Sequence, residues 1–353
     1  MFLSMKEIKK EKFRYGLIIG MIVLICYLIF ILTSLAMGLA QENTDAIESW
    51  NIKSVVLDKD SDTSLTQSLI TKNEVKNTKI SKNDAYIGQA AVVAKKSGKT
   101  KESAQFIGLH TNQFIAKNLK LTSGHNIKSS NQIVVDEKFK NDGYKLGDNL
   151  EFNSNSTKYE IVGFVKNAKL NVAPVVYGTL TTWKTLKSVN NTLIASAIVS
   201  KKSNYKANNS QLKTYSTKQF IDELPGYSAQ NSTFTFMIAF LMIISLIVIA
   251  VFLYILTIQK IQNYAVLRAQ GIPNKTLISA TIAQSLTLVV GGLLVGIALT
   301  AITALIIPSA VPMSFNIPIL SAVSLGLVFT GLLGSLIPIK IILKVDPVSV
   351  IGG

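Results

Sequence analysis

The run from Tyr15 to Gln41 reads YGLIIGMIVLICYLIFILTSLAMGLAQ, 27 residues without a charged side chain. A helix needs only ~20 such residues to cross the hydrocarbon core of a bilayer. Lys6, Lys9, Lys10, Lys12 and Arg14 precede it, and Gly38-Leu39-Ala40 closes it with small residues. That outline resembles a cleavable signal peptide, but the apolar region far exceeds the roughly 7–15 residues of a signal sequence. The stretch is therefore expected to remain as a membrane span.

Further along, Phe234–Ile258 is a second charge-free run, of 25 residues, and Lys275 is followed by 64 more uncharged residues. So long a stretch must turn at least once. Pro308, Pro312 and Pro318 mark the turn and leave spans at Leu277–Ile307 and Ile317–Ile339. The first is longer than one crossing requires and is expected to tilt or project. Lys260, Arg268 and Lys275 separate the second span from the third, Lys340 and Lys344 follow the fourth, and the Pro308–Asn316 loop carries no charge. Because basic residues in short flanks stay inside, both termini are expected in the cytoplasm.

The expected fold is integral membrane α-helical, with four transmembrane helices and an extracytoplasmic α+β domain. Residues 1–40 hold the cytoplasmic N-terminus and first span. Residues 41–232 form the domain. Residues 233–353 hold the other three spans, a cytoplasmic loop at 259–276 and a cytoplasmic C-terminus. Composition agrees: 48% of the 353 residues are hydrophobic and 16% charged, which is apolar for a soluble chain. The net charge of +16 does not imply nucleic acid. Within Gln41–Ser232 there are 26 Lys, no Arg and 17 acids, dispersed among Asn, Ser and Thr, whereas nucleic-acid binders gather basic residues on one surface. The lone cysteine, Cys26, lies inside the first span, where it packs; it permits no intrachain disulfide and no thiolate metal site.

In the domain, strands are expected at Ser54–Leu57, Ile133–Val135, Tyr159–Val165 and Leu193–Val199. Helices are expected near Ser64–Thr71, Thr181–Val189 and Thr217–Leu224, with turns at Asn141–Gly143 and Leu146–Asp148. His110 and His125 have no carboxylate or cysteine at useful spacing, and no Gly-x-Ser-x-Gly elbow accompanies them. Ser97-Gly98-Lys99-Thr100 imitates the end of a phosphate loop, but Val93 stands where the opening glycine belongs. No catalytic residue is assigned.

Spans two to four contain no ionisable residue, and Gln284 is their strongest polar group. Ion-coupled transporters need such residues, so any transport must draw its energy from a partner. Tyr264–Asn274 reads as a short helix that stops at Gly271, with Pro273 opening the next. Its Val266 and Leu267 could dock into a partner's groove.

Ala265-Val266-Leu267-Arg268-Ala269-x-Gly271 between two spans resembles the coupling loop of the FtsX/MacB-type ABC transporter permeases. One span, a domain and three spans is that family's topology over the whole chain. Ile133-Val-Val-Asp136, Leu146-Gly147-Asp148-x-Leu150 and Tyr159-x-Ile-Val-Gly163 resemble its extracytoplasmic core, and Asp346-Pro347-x-x-x-Ile351 its usual ending. Gly163–Ala168 and Asn171–Tyr177 look most like the HrtB haem-efflux permease group of Gram-positive bacteria. The resemblance implies a MacB-like (type VII ABC) architecture and a permease homodimer, with two copies of a separate cytoplasmic ATPase that binds ATP and Mg. It also implies mechanotransmission through Ala265, Val266, Leu267, Arg268 and Gly271, no intrinsic cofactor, and haem as the transported substrate, exported for detoxification. Haem iron accepts tyrosine, methionine or histidine. On that basis Tyr177, Tyr227, Glu42, Glu48 and Met237 are expected to meet haem near the outer leaflet. Gly292-x-x-x-Gly296 and Gly331-x-x-x-Ser335 are expected to let helices approach within or between protomers. The alternatives are an FtsX-like regulator of a cell-wall hydrolase, or an exporter of a peptide or lipid.

Overall fold

The computed structural model describes residues 12–76, 78, 80–308 and 311–344. Lys6, Lys9 and Lys10 of the basic head and the Asp346–Ile351 ending lie outside the described residues. The chain forms two compact units, one of residues up to Gly38 and from Asn231 onward, the other Leu39–Gln230.

The first helix, α1 (Lys12–Ser49), outruns the apolar stretch that predicts it. Its residues from Leu39 on belong to the α+β unit, where Ala46 and Ile47 are buried. Asn51, at φ 51°, turns the chain into β1 (Ser54–Asp58). There follow β2 (Ile70–Thr71), β3 (Asp84–Lys95), β4 (Glu102–Leu109), α2 (Phe114–Lys117), β5 (Leu121–Gly124), β6 (Gln132–Asp136) and α3 (Glu137–Asn141). Next come β7 (Asn149–Phe152), β8 (Asn155–Val165), β9 (Lys169–Leu170), β10 (Ala173–Thr179) and α4 (Leu180–Lys187). The unit ends with β11 (Leu193–Ala195), β12 (Ala197–Ser200), β13 (Leu212–Ser216) and α5 (Thr217–Asp222).

Eleven strands share one sheet in the order β13-β1-β12-β3-β4-β10-β6-β8-β5, with β7 on β3 and β8, and β9 on β10. Pairing is mixed: β10 runs parallel to β4 and β6 parallel to β8, while β3 and β4 form an antiparallel hairpin. α4 lies on this hairpin because Gly88 and Gly108 leave room for Trp183. A Cβ on Gly88 would sit 2.3 Å from the Trp183 ring, and one on Gly108 would sit 2.6 Å from the Trp183 Cβ. The indole Nε1 donates to Gln89 O at 3.0 Å, so the ring is both buried and satisfied.

The strand expected over Leu193–Val199 divides at Ser196, whose hydroxyl accepts from Gln89 N at 2.9 Å. The helix expected near Ser64–Thr71 does not form; turns lead into β2 instead. Ser68 explains this. Its hydroxyl donates to Ser196 O at 2.6 Å and accepts from Asp58 N at 2.9 Å, offering the backbone an alternative to helix.

The helical unit is completed by α6 (Tyr227–Ile258), α7 (Ile261–Ala269), α8 (Asn274–Ile306), α9 (Ile317–Gly334) and α10 (Leu336–Lys344). Four stretches among the described residues are long and apolar enough to cross a membrane: α1, α6, α8 and α9 with α10. The fourth is broken near Ser335, because Pro338 has no N–H to donate to the Gly334 carbonyl. The small residues pack helices within the chain. A Cβ on Gly292 would meet Ile22 Cγ2 at 2.5 Å, and one on Gly296 would meet the Cys26 Cβ at 3.0 Å. Ser285 Oγ donates to Gly331 O at 2.8 Å, joining α8 to α9.

Candidate functional site

Along the end of α1, Glu42, Asp45 and Glu48 follow one another at three-residue intervals and share a face. The Glu42 carboxylate is ion-paired with Lys169 of β9, both side chains largely shielded. Glu48 is exposed and accepts from Thr44 Oγ1 at 3.1 Å. Asp45 and Glu48 also line a pocket of about 470 Å³, together with Trp50, Leu119, Lys120 and Lys166. This volume falls within the range of small-molecule sites.

The other motif carboxylates are structural. Asp136 caps α3 by accepting from Lys138 N at 2.9 Å, and its second oxygen accepts from Ala168 N at 3.1 Å. Burial pushes its carboxyl above the ordinary value, against the lowering effect of those two bonds. Asp148 closes the Leu146–Asp148 turn by accepting from Lys145 N at 2.9 Å, and its ion pair with Lys96 holds its carboxyl below the usual range.

Tyr177 differs from expectation. Its side chain is 0% exposed in the core under β10, and its phenol oxygen accepts from Trp50 Nε1 at 3.2 Å. The structure thus places the tyrosine expected to contact haem inside the protein core, with its phenol engaged by Trp50. Tyr227 opens α6 and packs, partly buried, against the same core. Met237, 41% exposed, belongs to the helical unit. His110 stands edge-on to Tyr86, and His125 bonds the Asn126 carbonyl at 2.9 Å. Among the described residues no cluster of His, Cys, Asp and Glu could hold a metal ion. Ser97–Thr100 is the turn between β3 and β4, where Lys99 donates to Asp142 O at 2.6 Å.

In the helical unit, α7 ends as its sequence demands. Gly271, at φ +87°, donates to Arg268 O at 2.9 Å, and Ile272 N donates to Leu267 O at 3.1 Å. This pair of bonds is the Schellman ending, and the apolar contact that goes with it is present in the cluster of Leu267 and Ile272 around Tyr264, Leu277 and Ile342. Pro273 then caps α8. Ala265 is fully buried, Val266 is 46% exposed, and Leu267 and Arg268 are intermediate. α7 is thus a short, firmly stopped helix between two span-length helices, with Val266 left outward as its large exposed apolar side chain.

Residues 15–214 match the family model described as MacB-like periplasmic core domain, and residues 235–347 match that described as FtsX-like permease C-terminal. The chain belongs to the FtsX/MacB-type permease family. Curated relatives of this permease in Staphylococcus epidermidis and Staphylococcus haemolyticus carry the name hemin transport system permease protein HrtB. They are 28% and 26% identical to it, with 100% of this chain and 99% of each relative covered. Among solved structures, the periplasmic region of MacB from Actinobacillus actinomycetemcomitans is similar at 13% identity and a TM-score of 0.37, over 48% of this chain and 91% of that one.

As a permease of this family, the protein works with an ATPase on a separate subunit. Sequence reasoning overlooked Asp45 and the pairing of Glu42 with Lys169. Asp45 was legible in the Glu42-x-x-Asp45-x-x-Glu48 spacing. Lys169 as the partner of Glu42 was not, because 127 residues separate the two.

Proposed function

We propose that this permease is the membrane subunit of an ABC exporter that expels haem from the membrane, driven mechanically by two copies of a cytoplasmic ATPase acting on a permease homodimer. The observation that carries the reading is the match, end to end, with relatives named for hemin transport. Both termini and α7 lie in the cytoplasm, as the basic flanks of the spans favour, and Leu39–Gln230 faces outward. Val266, with Leu267 and Arg268 beside it, meets the ATPase; Ala265 and Gly271 hold α7 in shape.

Haem is the cargo, and the residues proposed to meet it are Tyr227, Glu42, Glu48 and Met237. Tyrosine or methionine would approach the iron, while Lys169 gives the Glu42 carboxylate a fixed position. The ATPase binds ATP and Mg; its closure displaces α7, and the spans pass that displacement to the outward domain.

The test is haem efflux from vesicles containing the permease and its ATPase, alongside growth of a deletion strain in haem. ATP-dependent efflux and haem-sensitive growth are expected. A deletion strain that grows normally in haem but fails to separate its daughter cells would replace export with regulation of a cell-wall hydrolase.

A further inference from the structure

Three buried polar side chains meet within the helical unit. Tyr15 of α1 is 1% exposed, Gln284 of α8 is 5% and Lys260, in the link between α6 and α7, is 7%. Gln284 Nε2 donates to the Tyr15 hydroxyl at 2.7 Å and Lys260 Nζ donates to the same oxygen at 2.9 Å. The ammonium also lies 5.6 Å from the centre of the Tyr15 ring.

The connectivity of this cluster is what matters. Lys260 caps α7, and its carbonyl accepts from Tyr264 N at 2.9 Å. One residue therefore both starts α7 and grips α1. Two donors fill the acceptor capacity of the phenol oxygen and fix its position. About two and three turns further along α1, Ile22 and Cys26 pack on Gly292 and Gly296 of α8. Those apolar contacts can slide, because dispersion has little directional preference, whereas a buried hydrogen bond is directional and costly to leave unmade.

We infer that Tyr15 is a positioning residue that converts displacement of α7 into displacement of α1, through Lys260, with Gln284 holding the phenol in register. The inference rests on the ATP-driven reading above. It does not depend on the cargo.

The permease with its ATPase in lipid nanodiscs, with and without ATP, provides the test. The readout is the ATP-dependent change in hydrogen exchange of Leu39–Gln230 for each unit of ATP hydrolysed. Tyr15→Phe keeps the ring and removes the oxygen. It is expected to leave hydrolysis within about twofold and to lower the exchange response about fivefold, within the range of coupling carried by single residues. Lys260→Met should lower the response similarly, and Lys260→Arg, which still donates, should restore most of it. Gln284→Leu added to Tyr15→Phe should cause no further loss. A Tyr15→Phe complex with the wild-type response per ATP overturns the inference, as does a response that falls only in proportion to hydrolysis. If the unaltered complex shows no ATP-dependent exchange change, the ATP-driven reading and the inference fall together. If it responds to ATP yet moves no haem, only the cargo is wrong, and the Tyr15→Phe ratio still decides the inference.

Discussion

The indole N–H of Trp50 donates to the phenol oxygen of Tyr177 at 3.2 Å, and both rings are buried. Trp50 directly follows α1, and Tyr177 lies in β10, parallel to β4 and antiparallel to β6. The bond therefore ties the end of a membrane helix's own chain segment to the middle of the sheet.

Removing that oxygen should matter for folding and not for haem. Tyr177→Phe leaves the Trp50 N–H buried without its partner, at a cost of about 1–3 kcal/mol. The variant should unfold at lower denaturant while its haem absorption spectrum is unchanged. Tyr227→Phe should show the reverse pattern. An altered haem spectrum in Tyr177→Phe would return that residue to the haem site.

Alkali should expose the same group. Burial pushes the Tyr177 phenol up to about 12 from its ordinary value of 10.0. Between those two pH values the unfolded chain loses this proton and the folded chain keeps it, so stability from this group is complete below pH 10 and falls as pH rises towards 12. Two pH units correspond to about 2–3 kcal/mol. Tyrosines elsewhere act in the same direction, so the check is the difference between wild type and Tyr177→Phe, followed by tryptophan fluorescence. The variant should show the shallower alkaline decline.

Neighbouring glycines of α8 should respond oppositely to a methyl group. Gly291 has nothing within 4 Å of an added Cβ, whereas Gly292 would place one 2.5 Å from Ile22. Gly291→Ala should be neutral or stabilising by up to about 1 kcal/mol through helix propensity. Gly292→Ala should cost about 1–3 kcal/mol through overpacking against α1. Thermal denaturation in detergent compares the two.

The stop of α7 should be needed for shape and Val266 for contact. Gly271→Ala strains a residue at φ +87° and should cost about 1 kcal/mol, while Gly271→Asn is better tolerated. Val266→Asp places a charge on an exposed side chain, so the permease should remain folded and yet lose its ATPase on co-purification. Retention of the ATPase by Val266→Asp would move the contact away from α7.

The helical half was readable because its signals are local. Gly271 and Pro273 act on their own backbones, and the end of α7 and the start of α8 follow from them, whereas α7 begins at Ile261, three residues before the expected Tyr264. The α+β unit was readable only in part. The valine-rich Ile133–Val135 and Tyr159–Val165 become strands, but the long central hairpin of β3 and β4 passed unnoticed. Gly88, Ala90, Ala91 and Gly108 have weak strand preference, and the smallness of Gly88 and Gly108 serves Trp183, a ring supplied from 75 or more positions away.

The candidate site divides along the same line. Three carboxylates on one face of α1 follow from their spacing, whereas the pairing of Glu42 with Lys169 and the enclosure of Tyr177 do not. Unbroken apolar length, basic flanks and turn residues act over a few positions, so the sequence by itself determined the membrane spans and the short helix between two of them. Which carboxylate is paired, which tyrosine is closed off and which glycines must stay small depend on side chains that meet only when distant segments pack, and those the tertiary structure alone decided.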